Sequence, residues 1–141
     1  MSTSTVRFLP QTQLTLRATS ILQLADVLDV SRFDQVIVEL VLMSPPTLAV
    51  DTVKLHTKTA NEIIANVGFD AYDTKTLTNT RGTTAGTPAV FRGAVWQREY
   101  RQDNQEPLLG LLAFSLENAS ASAITLDVQI NVIGTGCSCG K

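Results

Sequence analysis

The alternation of apolar and polar residues near the end of the chain predicts a β-strand. Apolar residues occupy every second position from 124 to 132, and the positions between them are polar. The apolar set is Ile124, Leu126, Val128, Ile130 and Val132. A period of two places these side chains on one face of an extended strand, whereas a helix would scatter them around its circumference. The stretch therefore predicts a strand with one buried face.

Two further stretches are apolar on both faces. Residues 35–43 alternate Val and Leu on one face, and only Glu39 interrupts the second apolar face. Residues 108–116 are apolar throughout most of their length and too closely bounded by turn residues for a helix. A strand that is apolar on both faces is usually packed against other parts of the protein on both sides. We expect one face of each to lie between two sheets and part of the other face to contact a neighbouring subunit.

Shorter alternating stretches predict further strands at 13–18, 51–59, 68–78 and 90–100. In the last of these, Gly93 suggests a bulge. The interruptions between them are turn-like: prolines follow residue 43, and the Gly- and Thr-rich segment 79–88 predicts the longest exposed loop.

Residues 20–29 fit two patterns. Ser20 with Gln23 resembles a helical capping box, and the apolar residues after it include a helical spacing. The same residues also fit an extended period, so both helix and strand remain open, and the prediction favours a strand or irregular edge.

Strands that recur with turn signals at this density, without a convincing long helix, predict a single all-β domain of two antiparallel sheets packed face to face. We place this β-sandwich at residues 12–134. The polar residues 1–11 hold a small apolar patch that includes Phe8 and Leu9, and they predict either a frayed terminus or an arm that docks on a neighbouring subunit. Residues 135–141, which contain Gly and Cys, predict a flexible tail.

The composition indicates a surface that suits contact with other subunits. Only 17% of the residues are charged, 44% are hydrophobic, and the formal net charge is -2. The surface must therefore be covered largely by uncharged polar residues, and the cores of protein interfaces are depleted of charge in the same way. The near-neutral balance argues against sequence-independent nucleic-acid binding. No apolar run approaches the roughly 20 residues of a membrane span, and no signal peptide is visible, so we expect synthesis in the cytoplasm.

The sequence contains no recognisable catalytic set. The one histidine, His56, is expected to share an outward strand face with Lys54 and Lys58, with no carboxylate placed to orient it. This stripe is either an ordinary polar face or a contact for an acidic partner surface. The paired carboxylates lie beside turns and are too sparse for a calcium loop, so we predict no cofactor, no metal and no enzymatic activity.

Two other features have a structural and a functional interpretation. Cys137 and Cys139 predict an exposed tail, with an intersubunit disulfide or a shared zinc site as the alternatives, because two thiols one residue apart rarely close a relaxed ring. Trp96 and Tyr100 share a strand face. They predict either a core anchor with a rim tyrosine or a platform that stacks a sugar or a partner side chain.

Four stretches together resemble a known class of proteins. Residues 28–40, 53–57 and 109–116, followed by a small-residue turn and residues 124–130, are similar to the discoidin-like jelly-roll β-sandwich proteins of tailed-phage virions. The resemblance covers about residues 12–134 and rests on strand order. It implies a jelly-roll-like fold and a structural or decorating role on a particle built of many identical copies, and it implies no functional residues. Galactose-binding-like modules share this architecture.

We therefore predict a non-enzymatic β-sandwich subunit of a tailed-phage virion, made in the host cytoplasm, that decorates or completes a capsid, neck or tail. Its expected partners are copies of itself and a major capsid or tail protein, without nucleic acid or membrane. The alternative is a carbohydrate-binding module that holds a glycan with Trp96, Tyr100 and the loop 79–88. An enzyme without a recognisable motif is a weaker third possibility.

Overall fold

The computed structural model describes residues 3–60, 73–97 and 110–136, and these residues form strands and connecting loops without a helix. Eight strands are present in the described ranges. Their bounds are β1 Thr3–Leu16, β2 Ser20–Asp29, β3 Gln35–Leu42, β4 Val53–Ala60, β5 Asp73–Thr78, β6 Ala89–Gln97, β7 Leu111–Asn118 and β8 Ile124–Thr135. The predicted all-β class is confirmed.

The eight strands pair as one long hairpin rolled into two sheets. β1 pairs with β8, β2 with β7, β3 with β6 and β4 with β5, all antiparallel. The first sheet has the order β1-β8-β3-β6, and the second sheet has the order β2-β7-β4-β5. Successive pairs of the hairpin thus fall in alternate sheets, which is the arrangement of an eight-stranded jelly roll. The predicted antiparallel sandwich of the jelly-roll kind is confirmed.

The core lies between the two sheets and follows the alternation in the sequence. All five apolar residues from Ile124 to Val132 are buried, as are the alternate residues of β3. Val36, Val38, Leu40 and Leu42 on β3 have no exposed surface. Burial of a Val, Leu or Ile side chain stabilises the fold by about 1.5–3 kcal/mol relative to exposure. On β7 even the outward residues Ala113 and Ser115 are buried, because they are short and lie between two flanking strands.

Residues 20–29 form strand β2, and its irregular register explains their mixed pattern. Gln23 pairs with Ser115 and Val27 pairs with Ala113, so four steps along β2 match two steps along β7. At this register shift the side-chain amide of Gln23 donates a hydrogen bond to the backbone carbonyl of Phe114 at 3.3 Å. The two extra residues interrupt the alternation, and neither a helical nor an extended period fits the whole segment.

The predicted N-terminal arm is wrong for the residues that the structure describes. β1 runs without a boundary at residue 11, and Thr3 to Leu9 already pair with β8. Pro10 lies within the second of two register shifts on this edge strand, where a missing backbone donor costs little. At the other end β8 continues to Thr135, one residue into the predicted tail, and residues 137–141 lie outside the described ranges.

The remaining predicted strands are present with shifted ends. The strand expected at 51–59 begins at Val53, and those expected at 68–78 and 90–100 are described over Asp73–Thr78 and Ala89–Gln97. Residues 61–72 and 98–109 lie outside the described part of the chain. The bulge predicted near Gly93 is confirmed by a register shift in the pairing of β6 with β3, where Ala94 has a φ of 51°.

Four connections meet at one end of the sandwich, which we call the loop end: residues 17–19, 43–52, 79–88 and 119–123. Two buried asparagines hold these connections together. The Asn118 amide nitrogen donates to the carbonyls of Leu16, Arg17 and Ser122 at 2.8–3.2 Å. The Asn79 amide oxygen accepts from the Val53 backbone N–H at 2.9 Å. Side-chain hydrogen bonds therefore replace a sheet ladder where the backbone turns.

Candidate interaction surfaces

On the outer face of the first sheet, a row of hydrogen-bonded polar side chains crosses the two inner strands, β8 and β3, and the edge strand β6. Glu39 on β3 pairs with Arg92 on β6 and with Asn131 on β8. The Arg92 Nε donates to Glu39 Oε2 at 3.0 Å and its Nη2 donates to the same oxygen, while the Asn131 amide donates to Oε1 at 2.9 Å. The Asn131 hydrogen bond and then Arg92 hold the pKa of Glu39 below its ordinary value, although partial burial opposes this.

Apolar side chains lie on both sides of this polar row. Ile37 pairs with Ile133 and Val95 on one side, and Val41 pairs with Val90 on the other. We call these five residues the outer patch. Val90 and Val95 are 43% and 40% exposed, which is high for large hydrophobic residues. The second apolar face predicted for residues 35–43 is therefore real, and its contact with a neighbour stays a prediction.

The outer face of the second sheet carries His56. Its Nε2 lies 2.7 Å from Glu117 Oε1 on β7, and its Nδ1 lies 2.9 Å from Thr76 Oγ1 on β5. Because an ionised carboxylate only accepts, Nε2 donates to Glu117, and the Nδ1 of a neutral ring accepts from the Thr76 hydroxyl. His56 thus joins three neighbouring strands of the second sheet.

The expectation that no carboxylate orients His56 is wrong. In the register of β4 with β7, Lys54 is opposite Glu117 and His56 is opposite Ser115, so Glu117 is a diagonal neighbour of the ring. The sequence could not place Glu117 there, because 61 positions separate the two residues. Lys54 and Lys58 flank His56 on the outward face as predicted, while Val53, Leu55 and Thr57 are buried. A role of this stripe in binding an acidic partner stays a prediction.

The loop end contains a cavity of about 500 Å³ between the connections 43–52 and 119–123. Its lining combines small apolar side chains with hydroxyl groups and includes no charged residue. The residues are Pro46, Thr47, Leu48, Ala49, Thr52, Ser120, Ser122, Ala123, Ile124 and Thr125. A cavity of this chemistry suits an uncharged group. Among the residues that the structure describes, no three potential metal ligands lie close enough to hold an ion.

Trp96 is not available as a stacking platform, so this part of the glycan prediction is wrong. The side chain has no exposed surface, and its Nε1 donates a hydrogen bond to Thr57 Oγ1 at 2.9 Å. The Lys75 ammonium lies 5.0 Å from the ring centroid. The bulge at Gly93 is the physical reason, because one extra residue turns Trp96 from the outer to the inner face of β6. Tyr100 lies outside the described residues.

The apolar patch of the predicted arm is used within the chain. The rings of Phe8 and Phe114 pack with their centroids 4.3 Å apart and their planes at 37°. Phe8 and Leu9 are both partly buried against the core. The patch therefore covers an open side of its own sandwich instead of standing free for a neighbour. Cys137 and Cys139 lie outside the described ranges, and a role of these thiols between subunits stays a prediction.

Sequence reasoning missed the partners of Glu39. The isolated Glu39 in an otherwise apolar strand was the available signal, since a charge at such a position expects a partner. Its partners Arg92 and Asn131 are distant in sequence, so only the pairing of strands identifies them.

In the described part of the chain no helix is both long and apolar enough to cross a membrane.

No protein-family model matches the sequence, and no curated protein is similar to it. Solved structures of infectious bursal disease virus share the fold. A structure of the Gx strain has a TM-score of 0.58 and 14% identity, covering 98% of this chain and 34% of that chain. A mutant VP2 protein in T=1 particles has a TM-score of 0.60 and 14% identity, covering 96% and 32%.

The structure of the T13 particle of the same virus has a TM-score of 0.58 and 13% identity, covering 96% of this chain and 31% of that chain. What this chain shares with these structures is the fold. The chain spans about a third of the length of these solved chains. At this identity the likeness concerns the fold, and it confirms the predicted resemblance to virion β-sandwiches at that level. The restriction to tailed phages stays a prediction.

Proposed function

We propose that this chain is a non-enzymatic structural subunit of a viral particle and that it associates with copies of itself. The observation that carries the proposal is the fold, which over 96–98% of the chain is similar to proteins of viral particles at TM-scores of 0.58–0.60. Function does not follow from fold alone, so the surface must also suit assembly.

The outer face of the first sheet supports the proposal. The outer patch presents exposed Val90 and Val95 beside the row formed by Glu39, Arg92 and Asn131. Burial of a charge against a neighbour is costly when the charge lacks a partner. Glu39 already has its hydrogen bonds, so this face can be covered at a lower desolvation cost. Few charges and exposed apolar side chains are typical of the centre of a protein interface.

The finer assignment rests on the resemblance to tailed-phage virion proteins. On that basis we propose that the subunit decorates or completes a capsid, neck or tail, next to a major capsid or tail protein, and is made in the host cytoplasm. Mass spectrometry of purified particles tests this assignment, because a virion component must copurify with the major structural protein in a constant ratio.

Sedimentation and electron microscopy of the purified chain test self-association. The wild-type chain is expected to form a defined oligomer or larger assembly as its concentration rises. Val90→Lys and Val95→Lys are each expected to weaken the assembly at least tenfold, because they place a charge in the outer patch. Val50→Lys is the matched control, since Val50 is 55% exposed on a loop at the loop end. A chain that stays monomeric at every concentration and does not join particles overturns the proposal.

A further inference from the structure

The two sheets leave four strand edges in the described part of the chain: β1 and β6 in the first sheet, β2 and β5 in the second. An edge strand presents unpaired backbone N–H and C=O groups to which another strand can add. Natural proteins usually hinder this with prolines, charges, bulges or short strands. The four edges of this chain differ in how strongly they hinder the addition of another strand. This difference indicates the edge to which another copy can add.

Three edges carry clear hindrance. β1 contains two register shifts, and Pro10 lies within the second of them. β5 carries a charged residue, Lys75, whose ammonium lies 5.0 Å from the centroid of the Trp96 ring. On β6, the Arg81 Nη2 donates to the Val90 carbonyl at 3.2 Å, and the Arg81 guanidinium lies 4.6 Å from the centroid of the Phe91 ring. Arg81 thus occupies a backbone acceptor that an added strand would need.

The start of β2 lacks such features. Residues 20–23 pair regularly with β7 before the register shift that follows Gln23. Ile21 is 61% exposed and Leu22 is 37% exposed, although both are large and apolar. They lie at the loop end, where all four connections are described. An edge that is regular, apolar and exposed is an expected site of strand addition.

We propose that β2 pairs with β2 of a second copy, antiparallel about a two-fold axis, so that the two second sheets join into one. This inference rests on the proposed self-association and names the surface that carries it. The lack of charge on this edge makes a second copy a compatible partner, and the proposed self-association supplies that copy. A two-fold contact places equivalent residues near each other, so a charged strand would face its own charge. Residues 18–25 contain no charged side chain.

In such a pairing the two Ile21 side chains approach each other on the outer face of the joined sheet, because Ile21 is opposite Glu117 on that face. Main-chain hydrogen bonds between the strands supply the affinity. Apolar contacts of Ile21 on the outer face and of Leu22 on the opposite face add to it.

The test uses Ile21→Lys and Ile21→Glu in the full chain, with the dimer dissociation constant measured by sedimentation. Each variant alone is expected to weaken the dimer at least tenfold, because like charges meet across the axis. An equimolar mixture of the two variants is expected to restore association to within about threefold of the wild type, since opposite charges then meet. Val50→Lys, with similar exposure but away from the edge, is expected to dimerise like the wild type.

A second measurement needs no variant. Hydrogen exchange of the wild-type chain, compared at low and high concentration, is expected to show added protection of the backbone amides at residues 20–23. An associated protein without this protection, or variants of Ile21 that associate as the wild type does, overturns the β2 pairing. In that case the proposed self-association still stands, because assembly and the Val90 and Val95 variants test it separately.

Discussion

The indole nitrogen of Trp96 donates a hydrogen bond to the hydroxyl of Thr57 across the core of the sandwich, at 2.9 Å. Trp96 belongs to the first sheet and Thr57 to the second, and both side chains are fully buried. The Thr57 hydroxyl in turn donates to the Lys75 carbonyl at 3.2 Å. This chain of hydrogen bonds fixes the two sheets relative to each other, because a buried indole N–H without an acceptor is costly.

Replacing Thr57 by valine is expected to lower the free energy of unfolding by about 1–3 kcal/mol, because the shape is kept while the Trp96 N–H loses its acceptor. Urea unfolding followed by Trp96 fluorescence measures the change. Thr57→Ser is the matched control, since it keeps the hydroxyl and removes one methyl group. A valine variant as stable as the serine variant would contradict the importance of this hydrogen bond.

Replacing Glu39 by glutamine is expected to lower stability at neutral pH by about 1 kcal/mol, because the charge-assisted hydrogen bonds to Arg92 and Asn131 weaken. The pKa of Glu39 is lowered on folding, so its ionised form stabilises the native state at pH values above its ordinary value of 4.5. This contribution is lost as the pH falls through the lowered pKa.

The difference in unfolding free energy between wild type and Glu39→Gln should therefore be full at pH 7 and shrink steadily below pH 4.5. Asp127→Asn, on the outer face of β8, is the control and should not reproduce the loss seen at neutral pH. A Glu39→Gln difference that is constant between pH 7 and pH 3 argues against the hydrogen-bonded row as its source.

Replacing Gly134 by alanine is expected to destabilise the fold by about 1–3 kcal/mol through overpacking. An added Cβ would lie within 2.5 Å of ring atoms of Phe33, and this buried aromatic ring cannot yield as a flexible chain end would. Thermal unfolding measures the loss. Adding Phe33→Leu to the alanine variant should recover part of the stability, and a double variant with purely additive losses would exclude the clash.

Replacing Asn118 by alanine is expected to cost about 3 kcal/mol or more, because its buried side chain holds three backbone carbonyls and also accepts from Ser120. The control is Ser122→Ala, which keeps the backbone carbonyl that Asn118 contacts. Chemical unfolding should separate the two variants clearly. Equal stability would show that the loop end tolerates loss of these hydrogen bonds.

The fold class was predictable because burial repeats along a strand with a period of two. The stretch 124–132 has one apolar face and 35–43 has nearly two, and both lie in the first sheet as β8 and β3. The bulge at Gly93 was also predictable, since glycine in a strand interior often marks one. Strand ends were less predictable: Pro10 suggested an arm, but an edge strand tolerates a proline inside its length.

The candidate surfaces depended on contacts between residues that are far apart in the chain. The pattern placed Lys54, His56 and Lys58 on one outward face, and that face exists. It could not place Glu117 beside His56 or Asn131 beside Glu39, because cross-strand neighbours depend on register. A shift of one residue on β6 likewise moved Trp96 from the surface to the core.

By itself the sequence determined that this protein is an all-β sandwich with a sparsely charged surface. The reason is that the alternation of apolar and polar residues along each strand shows which side chains are buried. Only the tertiary structure decided which strands are neighbours, which edges stay open and where Trp96 points. The physical reason is that alternation is a local property of one strand, whereas register, bulges and strand order arise when distant strands pair.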